Sequence, residues 1–226
     1  MEMDVKKIFN HLILNIFYLK EYGLYYGKTG CLLFLTHYFQ QYRNEINEEI
    51  VLETIDDIFS SINKIYSLDM ERGVCGIGWG VEYILQNQLL EGDPDEILYD
   101  LDRYILNKDL KELSTHPDLT DVLSYIIVRL TSSCAKTNIL PFPNDYLWKL
   151  HSILEESIEK NNISMLKKLR TIKDILEKGR FSLNPIKLPD SMLGTISITQ
   201  FPLVPINLYN GLSGLGIKLL LNDKDE

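Results

Sequence analysis

Apolar residues recur at helical spacing through most of this chain, and glycine-rich segments punctuate them. Val5, Ile8, Phe9, Leu12, Ile16 and Leu19 share one helical face, which predicts a first helix ending before Gly23. A second helix opens at Gly30 and runs through Cys31, Phe34, Leu35 and Tyr38. Ile46, Ile50, Val51, Ile55, Ile58, Ile62 and Ile65 make a third stripe, opposite Glu48, Glu49, Glu53, Asp56, Asp57 and Lys64. That pattern predicts a surface helix with its isoleucine side buried. Trp79, Tyr83, Ile84 and Leu85 continue a fourth. Asp93-Pro94-Asp95-Glu96 offers an N-cap, a proline at the first helical position and an acid at the capping-box position. A helix from Glu96 to Asn107 should follow, with others over Leu119–Leu130, Asn144–Lys160 and Ile163–Lys178.

The stretch from Phe181 to Tyr209 departs from this rhythm. Pro185, Pro189, Pro202 and Pro205 stop helical continuation, and Ile196-Ser197-Ile198-Thr199 alternates like a short strand. An irregular connection over 181–209 is expected, then a short last helix ending near Leu221.

The glycines carry the most information. Gly23, Gly27 and Gly30 form one group, Gly73, Gly76, Gly78 and Gly80 a second, and Gly211, Gly214 and Gly216 a third. Each precedes an apolar helical run, where missing side chains permit a close backbone approach. Leu119-Thr120-Asp121-Val122 fits a degenerate fourth copy. A recurring turn with helical sequence between copies marks a repeat architecture. Mostly apolar helices alternating with striped ones predict a two-layer all-α assembly, taken as one domain over 1–226.

Charge and cysteines narrow the setting. The chain has 226 residues, 45% of them apolar, and a net charge of −9. That balance argues against nucleic acid as a partner, since phosphate binding needs a concentrated basic footprint. Cys31, Cys75 and Cys134 are odd in number and widely spaced, so a reducing, cytoplasmic setting is expected. No run reads as a membrane span.

Gly211-Leu212-Ser213-Gly214-Leu215-Gly216, the variant from Gly73 to Gly80, and the longer form from Gly23 to Gly30 resemble the repeat starts of the lanthionine synthetase C-like family. The resemblance implies an α/α toroid of helix pairs, here shortened or open. It implies a role in modified-peptide biosynthesis, with a peptide substrate or a peptide-modifying enzyme as partner. Uncovered repeat faces would favour self-association. Catalytic members bind zinc through a Cys-x-Gly turn and a Cys-His pair before a motif glycine, and zinc activates a substrate thiol.

This chain has no Cys-His-Gly. Aligned on the glycines, the residues before them are Tyr25-Tyr26, Val74-Cys75 and Leu212-Ser213, which puts Cys75 in the histidine ligand's place. No metal or other cofactor is therefore expected. A metal-free peptide-binding or accessory subunit is favoured over a cyclase with an atypical zinc-thiolate site using Cys31 and Cys75. A carbohydrate-binding or carbohydrate-active protein is the third reading, on fold analogy alone.

Tyr25, Tyr26, Cys75, Trp79 and Tyr209 are the candidate ligand-contacting residues, with Tyr22 and Tyr83 nearby. Asp69, Glu71 and Glu82 would add acidic character. Gly27-Lys28-Thr29 is not a phosphate loop, since only three residues separate Gly23 from Gly27 and no strand precedes it.

Overall fold

The computed structural model describes residues 2–132, 140–157, 162–178, 186–197, 199, 201 and 203–222. In chain order the helices are α1 (Glu2–Asn15), α2 (Lys28–Gln41), α3 (Glu45–Ser61), α4 (Val74–Gln86), α5 (Pro94–Ile97) and α6 (Tyr99–Leu106). There follow α7 (Leu110–Ser114), α8 (Leu119–Leu130), α9 (Asn144–Ser157), α10 (Ile163–Lys178), α11 (Asp190–Leu193) and α12 (Leu212–Asn222). The all-α class expected from periodicity is what the described residues show, with no strand among them. Ile196 and Ser197 are irregular; Ile198 lies outside the described residues, as do Cys134, Lys160, Pro185 and Pro202.

The chain forms two compact units, one from Met1–Gly80 with Lys187–Glu226 and one from Val81–Ile186. In the first, α2 packs on α3 and α12, and α12 packs on α1 and α11. In the second, α9 packs on α7 and α10, and α10 on α8. Every residue from Lys28 to Tyr38 is buried, and so is every residue of α4. By contrast α10 buries only Leu169, Ile172 and Ile175. Fully buried and striped helices thus coexist, as the apolar pattern predicts.

Two helices differ from expectation. The buried line of α3 is Asn47, Val51, Thr54, Ile58 and Ser61, not the isoleucine row, and Ile46 is 69% exposed. Its polar members are satisfied locally: Asn47 Nδ2 donates to Tyr42 O (2.6 Å), Thr54 Oγ1 to Ile50 O (2.7 Å) and Ser61 Oγ to Tyr22 Oη (3.0 Å). Burial then carries no unpaired polar atom. The expected helix to Asn107 begins two residues early and breaks at Leu98 (φ −97°, ψ 7°). Leu98 is wholly buried, and the bend brings Leu101 and Ile105 into the core beside it.

The second unit has a charged centre. Arg129 of α8 is wholly buried and donates to Glu82 (2.6 Å), Asp102 (2.7 Å) and Asp95 (3.1 Å). Tyr125 Oη donates to Asp102 (2.7 Å), and Gln86 Nε2 to Glu82 (3.0 Å). Burial pushes the Glu82 carboxyl above its usual range, against the pull of Arg129.

Candidate functional site

Three helix starts in the first unit share one backbone device. Lys28 N donates to Glu21 O and Thr29 N to Tyr22 O; Val74 N donates to Ser67 O; Leu212 N donates to Pro205 O and Ser213 N to Ile206 O. In each turn the acceptor lies seven residues back. A Cβ at Gly30 would sit 2.2 Å from Leu24 O, at Gly76 2.1 Å from Met70 O, and at Gly214 2.2 Å from Leu208 O. Only glycine fits such approaches.

This register equates Gly30, Gly76 and Gly214, and corrects the alignment made on sequence alone. The pair before the first motif glycine is Lys28-Thr29, not Tyr25-Tyr26, because Gly27, the extended residue before α2 (φ −113°, ψ −176°), takes the place of Gly73 and Gly211. Thr29, Cys75 and Ser213 become equivalent. Thr29 Oγ1 donates to Tyr22 O (2.6 Å), and Ser213 Oγ donates to Ile206 O. Cys75, at the same place in α4, is 0% exposed. The start of α8 is built differently, with Leu119 N donating to His116 O and Asp121 N to Asp118 O. It is not a fourth copy of the turn.

The three turns meet. Gly23 N donates to Arg72 O (3.1 Å), Leu24 N to Met70 O (3.0 Å), and Tyr25 N and Tyr26 N to Glu71 O. From the other side Leu208 N (3.2 Å) and Tyr209 N (3.1 Å) donate to Tyr25 O. The first turn is therefore clamped between the other two. Gly23 is required here, since a Cβ would lie 2.4 Å from the Arg72 backbone.

On this junction Tyr25, Tyr26 and Tyr209 come together. The Tyr209 ring lies 6.1 Å from Tyr25 and 6.0 Å, edge-on, from Tyr26. The Arg72 guanidinium sits 4.8 Å over the Tyr26 ring, a cation–π contact. Tyr25 and Tyr26 are half-buried and Tyr209 is 36% exposed. Arg72 escaped the sequence reading because nothing marks it beyond its place before Gly73.

The other candidates lie elsewhere. Cys75 and Trp79 are buried within α4, and Tyr83 is buried, its hydroxyl pushed up to about 12 by desolvation. Tyr22 faces the buried Lys28 (4.9 Å to the ring), which pairs with Asp57 of α3. Asp57 was expected on the solvent face; a buried cation 29 positions away draws it in. Asp69 closes the turn before α4 by accepting from Arg72 N (2.5 Å) and Gly73 N (3.0 Å). Burial opposes ionisation, but these hydrogen bonds and one from Ser67 outweigh it and lower the Asp69 carboxyl. Glu71 is half exposed and pairs with Arg72 at 3.5 Å. Gly73 and Gly211 precede α4 and α12, Gly78 is buried inside α4, and Gly216 lies against the Phe34 ring.

A sequence profile of the family described as lanthionine synthetase C-like protein matches residues 18–177. The chain belongs to the lanthionine synthetase C-like family. The match takes in the first two glycine turns and most of the second compact unit. No curated protein and no solved structure matches the chain significantly.

Family membership raises the question of zinc, and the described residues do not fit it. The turn positions that would supply a Cys-His pair hold Lys28-Thr29, Val74-Cys75 and Leu212-Ser213. Among the described residues no three His, Cys, Asp or Glu side chains are grouped to hold a metal ion. Cys31 donates to Ile206 O (3.4 Å), and burial pushes its thiol up to about 12. His37 and His151 are buried in α2 and α9, and His116 sits beside Asp118.

Proposed function

We propose that this lanthionine synthetase C-like chain binds a peptide without cyclising it, as a cytoplasmic accessory to a peptide-modifying enzyme. One observation supports the reading: the tyrosine cluster of Tyr25, Tyr26 and Tyr209, with Arg72, on a junction of three hydrogen-bonded turns. Partly exposed tyrosines give a peptide both apolar area and hydrogen-bonding partners at small entropic cost. The backbone clamp holds the rings in place before binding, which lowers the ordering cost further. Cys75 and Trp79 are buried within α4 and form no part of this reading. The misfit of the donor set to zinc favours binding over thiol chemistry. No observation favours a carbohydrate ligand.

The test uses labelled linear peptides carrying cysteine and dehydroalanine, followed by fluorescence anisotropy and by mass spectrometry with a thiol-capping reagent. Saturable binding is expected, with the peptide thiol fully cappable afterwards. Tyr209→Ala should weaken binding roughly tenfold, the loss of one buried aromatic anchor. Loss of the thiol on incubation with wild-type protein would instead show a cyclase. Failure of every peptide to bind would end the proposal.

A further inference from the structure

Helix α3 carries six acids, Glu45, Glu48, Glu49, Glu53, Asp56 and Asp57, and no base from Glu45 to Ser61. Lys28 pairs with Asp57. The other five stand on the exposed side of the helix together with Leu52. Among the described residues no ion pair engages any of them. Five acids less the flanking Arg43 and Lys64, both counted as full charges, leave three negative charges unopposed.

Helix α10 has the opposite character. Its bases are Lys167, Lys168, Arg170, Lys173 and Lys178, and its acids are Asp174 and Glu177. Lys168 turns inward and donates to Thr120 O (2.8 Å), while Lys178 pairs with Asp174 at 2.8 Å. Exposed Lys167, Arg170 and Lys173 then stand against Glu177 alone, three positive charges less one, a surplus of two. Among the described residues no carboxylate of α10 or of a neighbouring element pairs with those three. Ile163 heads the same face and is more than half exposed, as Leu52 is on α3. An open basic strip is the exception in a chain of net charge −9.

We propose that α3 of one copy of this chain packs against α10 of a second copy, carboxylates against lysine and arginine, with Leu52 and Ile163 in the contact. The two helices have 17 and 16 residues, so each presents a face about 24–26 Å long. The strip that complements α3 belongs to the same chain and is present at equal concentration wherever α3 is. Opposite charge fixes which helices meet and speeds their encounter more than it adds affinity. Unlike faces are joined, so the contact is heterologous and can repeat from copy to copy. This inference does not depend on the peptide reading of the tyrosine junction.

Sedimentation velocity over a concentration series tests it. Wild-type protein should associate at low salt. Raising ionic strength from about 0.01 to about 0.15 M shortens the Debye length from about 30 to about 8 Å and should weaken association about tenfold. Glu49→Lys, Glu53→Lys and Asp56→Lys together make the α3 face basic, and Lys167→Glu with Arg170→Glu makes the α10 face acidic. Each variant alone should be monomeric. An equimolar mixture should associate again, because the basic α3 of one variant meets the acidic α10 of the other. All five positions are exposed, so the fold should be retained, checked by circular dichroism. A wild type that stays monomeric at every concentration would overturn the proposal. Association that survives either reversal, or that does not return on mixing, would do the same. If the wild-type monomer instead binds a labelled helical peptide of Lys and Leu saturably, the α3 face serves a different protein and the proposal falls.

Discussion

Arg129 and Glu82 meet at 2.6 Å, both side chains wholly withdrawn from solvent. They lie 47 positions apart, and the same guanidinium also holds Asp102 and Asp95. Three carboxylates on one cation leave a negative surplus inside the second unit.

Removing the cation should therefore cost more than removing one acid. Arg129→Met leaves buried carboxylates without their counter-charge and is expected to cost about 3–5 kcal/mol. Glu82→Gln keeps a hydrogen-bonding partner for Arg129 and should cost about 1 kcal/mol or less. Urea unfolding of the two variants beside wild type decides the order.

Stability should also fall as pH rises from acid toward neutral. The folded Glu82 carboxyl is raised, so it binds its proton more tightly than the unfolded chain does. Its contribution is full below the unfolded carboxylate range, near pH 4.3, and is lost as pH climbs through the raised folded value. Glu82→Gln should flatten that decline in the urea midpoint above about pH 4. Asp69, lowered in the fold, acts in the opposite sense: its contribution is present above its unfolded value and lost on acidification.

Gly76→Ala should damage the junction of turns. The new methyl would meet Met70 O at 2.1 Å and Leu24 N at 2.7 Å, both backbone atoms. A loss of about 1–3 kcal/mol or more is expected, as for overpacking in a tight core. Thermal melting should register it. Reduced peptide binding should accompany it if the tyrosine cluster moves with the turn.

Cys75→Ser should be nearly silent. Thr29 and Ser213 place hydroxyls at the equivalent position and donate to the carbonyl seven residues earlier. A serine there gains the same bond, so stability should change by about 1 kcal/mol or less, read by urea unfolding. Peptide affinity should be unchanged.

Much of the fold was legible in the sequence. α8 and α10 carry the ends predicted from periodicity, Leu119–Leu130 and Ile163–Lys178. Of the proposed ligand contacts, Tyr25, Tyr26 and Tyr209 do converge. The failures share a cause. Hydropathy treats polar side chains as outward, yet Asn47, Thr54 and Ser61 are buried because their polar atoms find partners close by. Lys28 and Arg129 are buried because acids distant in sequence meet them, and no local pattern records that. The turn register failed for a related reason. Gly27 and Gly30 have the same three-residue interval as Gly73 and Gly76 and as Gly211 and Gly214, but Gly23 offers a competing start, and the carbonyl positions decide between them.

The clamp on Tyr25 draws one of its two jaws from residues 206–209, and Cys31 bonds to Ile206 across 175 positions. Such distant closure makes the tyrosine surface a late arrival during synthesis, after the whole second unit has left the ribosome. A nascent or carboxy-terminally clipped chain would have α1 through α10 and still lack a finished binding face. Competence to recognise a ligand would then report that translation has run past residue 209.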